Sequence, residues 1–154
     1  MRKKIIKNIN QFKELIGTHL GFSDWVFIDQ DKINKFAQAT EDFQWIHTDR
    51  NKAKINSPFK KTIAHGYLTL SLLPKFFYEV WECQDLSLIL NYGSEKIRFI
   101  SPVICDSHVR GSISLLDAYD YKNGVMLKSK VDIEIKNNNK LAMSAQTLSL
   151  LYPS

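Results

Sequence analysis

The chain has 154 residues, which is the length of one typical domain. Hydrophobic residues make up 44% and charged residues 24%, a balance that excludes intrinsic disorder and is typical of globular proteins. The two cysteines, Cys83 and Cys105, are too few for a disulfide framework or a four-cysteine metal site. No apolar run approaches the roughly 20 residues that a membrane span needs. We therefore expect a single domain over residues 1–154, in the cytoplasm, with no membrane partner.

The formal net charge is +5, from 21 basic and 16 acidic residues. The basic residues are spread along the chain, and the sequence contains no zinc-finger spacing or other nucleic-acid motif. A mildly basic, solvated surface is the simpler interpretation. An anionic small-molecule ligand, such as a thioester that carries a nucleotide, is the other. We expect no nucleic-acid partner.

The first third of the chain predicts short helices around one apolar strand. Apolar residues recur at helical spacing over residues 9–16, and a glycine-bounded stretch at 17–21 ends this pattern. Residues 25–28 are a candidate strand. Asp29 or Asp31 can then cap a helix whose apolar residues share one face.

The middle of the chain, residues 66–81, is apolar almost all the way round. A helix without a polar face is typical of a buried core helix. Pro74 lies within this segment and predicts a kink or a break, because proline removes a backbone donor and crowds the preceding turn.

The second half of the chain alternates between apolar and polar residues, which is the period of a half-buried strand. Four stretches show this alternation, within residues 86–99, 108–115, 125–136 and 141–151. The parity of the first stretch switches at Gly93 and Ser94, which predicts a β-bulge. The sequence therefore predicts an α+β fold in which a curved antiparallel sheet wraps around one long buried helix.

Residues 39–49 combine several titratable side chains with aromatic ones between two apolar segments, where loops carry sites. Asp42 and His47 are five residues apart, and a turned loop can bring their carboxylate and imidazole together around one water molecule. An Asx turn or a helix cap explains the same residues. Asp49 is predicted to be a plain helix cap.

Residues 63–67 form the entrance to the apolar helix. The first turn of a helix has unpaired N–H groups and the positive end of the helix dipole. Gly66 at this position would allow a ligand oxygen to approach the backbone closely, as an oxyanion site requires. The alternative is a glycine that only eases a tight turn into the helix.

These two motifs together resemble the MaoC-like dehydratases, or (R)-specific enoyl-CoA hydratases. The family pattern Asp-x-Asn-Pro-aliphatic-His is matched here by Asp42, Phe43, Gln44, Trp45, Ile46 and His47. The family's later Ala-His-Gly is matched by Ala64, His65 and Gly66. The residues in and around these motifs look most like those of the nodulation protein N branch. The resemblance extends over roughly residues 10–150. Gln44 and Trp45 stand where the family pattern has Asn and Pro, so we expect a difference in loop geometry and substrate preference rather than in reaction type.

The resemblance implies the hot-dog fold and the reversible hydration of a trans-2-enoyl thioester, carried by coenzyme A, to the (R)-3-hydroxyacyl thioester. It implies that Asp42 and His47 form the catalytic dyad that activates water, and that the Gly66 N–H polarises the thioester carbonyl. It further implies a homodimer whose two sheets join edge to edge, with coenzyme A present only as part of the substrate. We expect no metal and no other cofactor.

Four further residues near the two motifs are expected to contact the substrate, namely Gln44, Trp45, His65 and Tyr67. For His65, ordering of the loop is the alternative role.

Two other functions stay open at this point. A hot-dog thioesterase usually has its acid on or near the buried helix, where this chain offers only Glu79 and Glu82. A non-catalytic module that binds acyl thioesters would have no need for both Asp42 and His47.

Overall fold

The computed structural model describes residues 3–154. The strands are β1 (Lys4–Ile6), β2 (His19–Phe22), β3 (Val26–Ile28), β4 (Trp81–Cys83), β5 (Leu86–Phe99), β6 (Ser107–Tyr121), β7 (Gly124–Ile135) and β8 (Leu141–Pro153). The helices are a 3-10 helix (Ile9–Leu15), α1 (Gln30–Thr40), α2 (Trp45–Thr48), α3 (Arg50–Asn56), α4 (Gly66–Ser71) and α5 (Leu73–Val80).

The main sheet has the strand order β2-β6-β7-β8-β5, and β3 also pairs with β6. Every pairing in this sheet is antiparallel. The four long strands β5 to β8 confirm the four alternating stretches of the sequence. Buried and less buried residues alternate along most of β6, as expected for a strand with one face on the core.

The pairing of β5 with β8 shifts register three times, and two of these shifts lie between Asn91 and Gly93 and between Ser94 and Lys96. These two shifts confirm the bulge predicted at Gly93 and Ser94 from the change of parity. A bulge bends a strand and turns its side chains, and both shifts lie where β5 passes the helices α4 and α5.

The apolar segment 66–81 is two helices and a strand, so the expectation of one long helix is wrong in this detail. The predicted break is confirmed: α4 ends at Ser71 and α5 begins at Leu73, with Pro74 in its first turn. Proline is tolerated there because the first N–H groups of a helix have no intrahelical partner. Both helices also have an exposed side, because Tyr67 and Tyr78 reach solvent.

The helix α5 fills the concave side of the sheet. Its buried residues are Leu73, Phe76, Phe77 and Val80. They join one continuous apolar core with the inward-facing residues of β6, β7 and β8. The Phe76 ring packs so closely on Gly111 of β6 that a Cβ there would lie 2.9 Å from it, which explains a glycine in mid-strand.

The N-terminal third differs from the prediction in its short strands. The helical pattern at 9–16 is a 3-10 helix capped by Asn8, and the stretch that ends it contains β2. The strand β4 pairs in parallel with β1. Such three-residue strands arise from pairing with distant residues, so their local sequence carries little signal.

The caps predicted before the helices are present. The Asp29 side chain accepts a hydrogen bond from the Lys32 N–H at 2.8 Å, and Asp49 does the same for Lys52 at 2.8 Å. These caps fix α1 and α3 on either side of the one-turn helix α2, which carries His47. Among residues 3–154, no helix is long and apolar enough to cross a membrane.

Candidate active site

His47 lies on α2, so the expectation that Asp42 and His47 both lie on a loop is wrong for His47. Its side chain is buried, with only 7% of the residue exposed. A buried residue on a helical turn is held more firmly than a loop residue, because both its backbone and its ring have fixed neighbours.

The His47 ring is oriented by the backbone carbonyl of Ile63. The distance from Nδ1 to this oxygen is 2.8 Å. Because a carbonyl oxygen only accepts, Nδ1 carries the hydrogen in the neutral ring, and Nε2 keeps a free lone pair. His47 therefore presents one basic nitrogen whose identity is set by a fold contact.

Burial lowers the pKa of His47 below its ordinary value of 6.5, and the neighbouring His65 lowers it further. The hydrogen bond to Ile63 and the Asp42 carboxylate act in the opposite direction, but they do not cancel the effect of burial. His47 is therefore neutral near pH 7, which is the state that can accept a proton.

His65 packs against His47 and anchors the loop that carries Asp42. The two imidazole rings are stacked with centroids 3.8 Å apart and planes at 25°. His65 Nε2–H donates to the Asp42 backbone oxygen at 3.0 Å. His65 thus performs the loop-ordering role that the sequence left open, and it also lines the cavity beside Asp42.

The predicted partners Asp42 and His47 come together in the structure. One ligand atom each of Asp42, His47 and His65 lies within 4.8 Å of the others. The Asp42 carboxylate is exposed and accepts a hydrogen bond from the Gln44 N–H at 3.3 Å. An exposed carboxylate beside a buried imidazole can hold and orient one water molecule.

This cluster does not suit a metal ion bound by both histidines. A zinc ion needs ligand lone pairs that converge at about 2.0–2.1 Å. The lone pair of an imidazole nitrogen lies in the ring plane, so two stacked rings hold theirs in nearly parallel planes and do not direct them at one shared ion.

Gly66 is the first residue of α4, so its N–H has no partner within the helix. The Phe99 ring lies directly against it: a Cβ at Gly66 would be 3.0 Å from two of the ring carbons. A side chain at this position would therefore need the Phe99 ring to shift by a few tenths of an ångström.

Two cavities, of about 300 and about 400 Å³, meet at this point. Both are lined by His47 and Gly66. The larger one also contains Asp42 and Tyr67, and the smaller one runs under Phe99 towards Val103. His47 and the first residue of α4 thus line the same space, as a reaction with a base and an oxyanion site requires.

The four predicted contact residues fall into two groups. His65 and Tyr67 line the larger cavity, with Tyr67 exposed at its mouth. Gln44 and Trp45 line neither cavity. Gln44 acts through its backbone on Asp42, and the Trp45 ring lies under the Lys52 ammonium at 5.2 Å.

Gln30 supports the site in a way that no pattern in the sequence indicated. Its buried carboxamide donates from Nε2 to the His47 backbone oxygen at 2.7 Å and to Asn34 at 2.9 Å. Its Oε1 accepts from the Thr62 hydroxyl at 2.6 Å and from Arg50 Nε at 3.4 Å. Gln30 thus connects the backbone of His47 to the residue before Ile63, whose carbonyl orients the ring.

The carboxylates that a thioesterase would use lie elsewhere. Glu79 forms an ion pair with Lys75 and accepts from the Asp24 N–H at 3.2 Å. Glu82 lies on β4 and pairs with Lys3 at 3.8 Å. Neither lines the cavities at His47 and Gly66.

Comparison with known proteins shows to which family the chain is similar. The model of the family described as "MaoC like domain" matches residues 11–137. Nodulation protein N of Rhizobium meliloti (strain 1021) is 39% identical over 145 residues, covering 93% of this chain and 90% of that protein. The 3-hydroxyacyl-thioester dehydratase Z of Mycobacterium tuberculosis (strain ATCC 25618 / H37Rv) is 41% identical over 133 residues, covering 86% of this chain and 87% of that protein.

The fold is also that of a solved structure. The unliganded R-hydratase of Pseudomonas aeruginosa superposes with a TM-score of 0.73 at 20% identity, covering 97% of this chain and 89% of that one. This likeness confirms the expected hot-dog fold, with the sheet curved around α4 and α5. By the match of the family model and the identity to these relatives, the chain belongs to the MaoC-like domain family.

Proposed function

We propose that this chain is a hydratase/dehydratase that adds water reversibly to a trans-2-enoyl thioester to give the (R)-3-hydroxyacyl thioester. The observation that carries the proposal is that His47 and the N-terminal residue of α4, Gly66, line the same two cavities. Membership of the MaoC-like domain family supports it, as does the name of the mycobacterial relative. We propose coenzyme A as the carrier of the acyl group.

In the hydration direction, His47 Nε2 takes a proton from water while the water oxygen bonds to C3. The Nδ1–H of the neutral ring donates to the Ile63 carbonyl oxygen, so the lone pair on Nε2 is available for this step. Asp42 holds the same water and stabilises the imidazolium that forms. The proton is then returned to C2, and the dyad ends in its starting state.

The thioester carbonyl becomes negatively charged as C3 is attacked. The Gly66 N–H and the dipole of α4 stabilise this developing charge. Because the stabilising group is a backbone N–H that is fixed before the reaction, it needs no reorganisation at the transition state. The proposed reaction needs no metal and no redox cofactor.

We also propose that the protein is a homodimer that forms through β5. In the described chain, β5 pairs with β8 along one edge, and its other edge has no partner strand. Its exposed apolar side chains include Leu88, Leu90 and Phe99. A long apolar edge strand of this kind needs cover. Since Phe99 lies against Gly66, a second copy on β5 would border the site.

Incubation with a short and a long trans-2-enoyl-CoA tests the function. We expect loss of the enoyl absorbance without release of free thiol, and the product to be the (R)-3-hydroxyacyl-CoA. Release of thiol would instead identify a thioesterase. Tight binding of both compounds without either change would identify a binding module and contradict the proposal.

A further inference from the structure

The stretch between the two site motifs, residues 50–61, contains the whole net charge of the protein. It has five basic residues and no acidic one, whereas the rest of the chain has 16 basic and 16 acidic residues. Basic residues occur throughout the chain, but elsewhere acidic residues balance them. All five cations of this stretch, termed the basic segment, are exposed: Arg50, Lys52, Lys54, Lys60 and Lys61.

The charges of the basic segment are largely unneutralised. Within residues 3–154, Lys61 is the one member of the five that forms an ion pair, with Asp106 at 3.0 Å. The Lys52 ammonium lies over the Trp45 ring, and Lys60 Nζ donates to a backbone carbonyl at 3.1 Å. These partners are neutral and leave the positive charge in place. The segment therefore favours an anionic partner.

Large apolar side chains are exposed among these cations. Ile55 on α3 is 72% exposed, and Phe59, just after α3, is 39% exposed. An apolar centre with a charged rim is typical of a surface that binds another protein. A helix that lies on a membrane has a large apolar face, whereas Ala53 and Ile55 are the only apolar residues of α3. The segment thus fits an acidic protein better than a lipid surface.

Both ends of the basic segment are attached to the candidate active site. Arg50 follows His47 by three residues, and Lys61 precedes Ile63 by two. The Ile63 carbonyl orients the His47 ring, and the Ile63 N–H donates to the Ile46 carbonyl oxygen at 3.0 Å. The chain therefore leaves the site and returns to it at the same place. A protein bound to this segment lies at the border of the site.

We propose that the basic segment binds an acidic carrier protein that presents the acyl group on a phosphopantetheine arm. The inference rests on the proposed hydratase function and adds a second carrier to coenzyme A. Coenzyme A holds its acyl group on the same kind of arm, so one active site serves both carriers. The acidic side chains of the carrier protein meet the cations around Ile55, and the arm extends to His47 and Gly66. Complementary charge of this kind acts on encounter and on the choice of partner.

The test compares kcat/KM for trans-2-octenoyl-CoA with kcat/KM for a bacterial acyl carrier protein that is loaded with the same acyl group. We expect the wild type to prefer the carrier protein, and added salt to weaken this preference, because salt screens exposed charges. Lys52→Glu with Lys54→Glu reverses two exposed charges on α3 and should lower the preference by about 10-fold or more. Its kcat/KM for the coenzyme A thioester should not change.

Lys136→Glu with Lys140→Glu is the matched control. It makes the same change of charge at two exposed lysines in the turn between β7 and β8. It should leave the preference for the carrier protein unchanged.

Fluorescence anisotropy of the labelled carrier protein provides a second measurement that does not depend on activity. The variant with Glu in place of Lys52 and Lys54 should bind it about 10-fold more weakly than the wild type does, and the control should bind it normally. Failure of the proposed function is distinguishable, since then neither thioester would be hydrated although the carrier protein would still bind.

Four outcomes would overturn the inference. An equal fall of kcat/KM for both thioesters would show that the segment contacts the phosphates of coenzyme A. A lower mass of the variant in light scattering would place the segment in an interface between two copies of the chain. Sedimentation of the wild type but not of the variant with phosphatidylglycerol vesicles would identify a lipid surface. Equal binding of the carrier protein by wild type and variant would show that the segment does not bind it.

Discussion

At the scale of single residues, His47 has two ring nitrogens with separate roles. The Nδ1–H bond to Ile63 is used for orientation, which leaves Nε2 for proton transfer. Burial keeps this ring neutral, while the exposed Asp42 carboxylate opposes that effect. The pKa of His47 thus depends on the charge of Asp42, and this dependence can be measured.

The acid limb of the pH profile of kcat/KM reports this dependence. Since activity requires neutral His47, kcat/KM should fall as the pH drops through its pKa, and this limb should lie below pH 6.5. Asp42→Asn removes a negative charge that favours the imidazolium, so the limb should move to still lower pH. Its kcat should fall by about 10² as well.

Asp42→Asn is a better test than His47→Gln, because Asp42 is exposed whereas His47 is buried and hydrogen-bonded. The melting temperature of Asp42→Asn serves as the control for folding. If wild type and Asp42→Asn had identical pH profiles, Asp42 would not interact with the titrating group, and the proposed dyad would be wrong.

The buried carboxamide of Gln30 provides a prediction about positioning. Gln30→Met has a similar shape but leaves the His47 carbonyl and the Thr62 hydroxyl without their partner. We expect kcat to fall about 10-fold, because a small misplacement of a catalytic group is costly, and KM to stay within about 2-fold. Nitrogen NMR should show His47 as a mixture of tautomers instead of the Nδ1–H form.

Asn34→Ala is the matched control, since it removes only the other acceptor of the Gln30 amide. It should leave both kcat and the His47 tautomer unchanged. A normal tautomer and normal kcat in Gln30→Met would reduce Gln30 to a residue that only supports the fold.

At the scale of elements, the start of α4 combines the oxyanion site with tight packing. We predict that Gly66→Val lowers kcat/KM by about 10², comparable to the loss of an oxyanion donor, although every titratable group remains. The added Cβ would lie on the side of Gly66 that meets Phe99, so its effect has two sources, the blocked approach of the carbonyl and a clash with the ring.

The double variant Gly66→Val with Phe99→Ala separates the two sources. If the branched side chain itself blocks the carbonyl, activity should stay low after the ring is removed. Full recovery of activity in the double variant would mean that only the ring packing mattered and that Gly66 has no role in binding the carbonyl. Circular dichroism of each variant checks that the fold is kept.

At the scale of the whole molecule, the free edge of β5 predicts the oligomeric state. Light scattering after size exclusion should give twice the mass of one chain. Leu90→Lys places a charge on the proposed interface and should shift the protein towards the monomer. Tyr119→Lys on β6 changes an equally exposed residue of another strand and should leave the mass unchanged. A wild-type monomer at all concentrations would contradict the dimer.

The sequence alone determined the features that depend on neighbouring residues. The alternation of β5 to β8, the bulge near Gly93, the break before Pro74 and the caps Asp29 and Asp49 all follow from local period, backbone geometry and short-range hydrogen bonds. The two site motifs were also readable, because their residues are close together along the chain.

The way those residues are held depends on contacts between distant parts of the chain. The proton position on His47 is set by Ile63, 16 residues away, and the backbone of His47 is held by Gln30, 17 residues away. The Phe99 ring packs on Gly66 although the two residues are still farther apart in the sequence. Such contacts leave no local periodicity or propensity in the sequence. Their energy comes from burial and from hydrogen bonds that form only once the chain is folded.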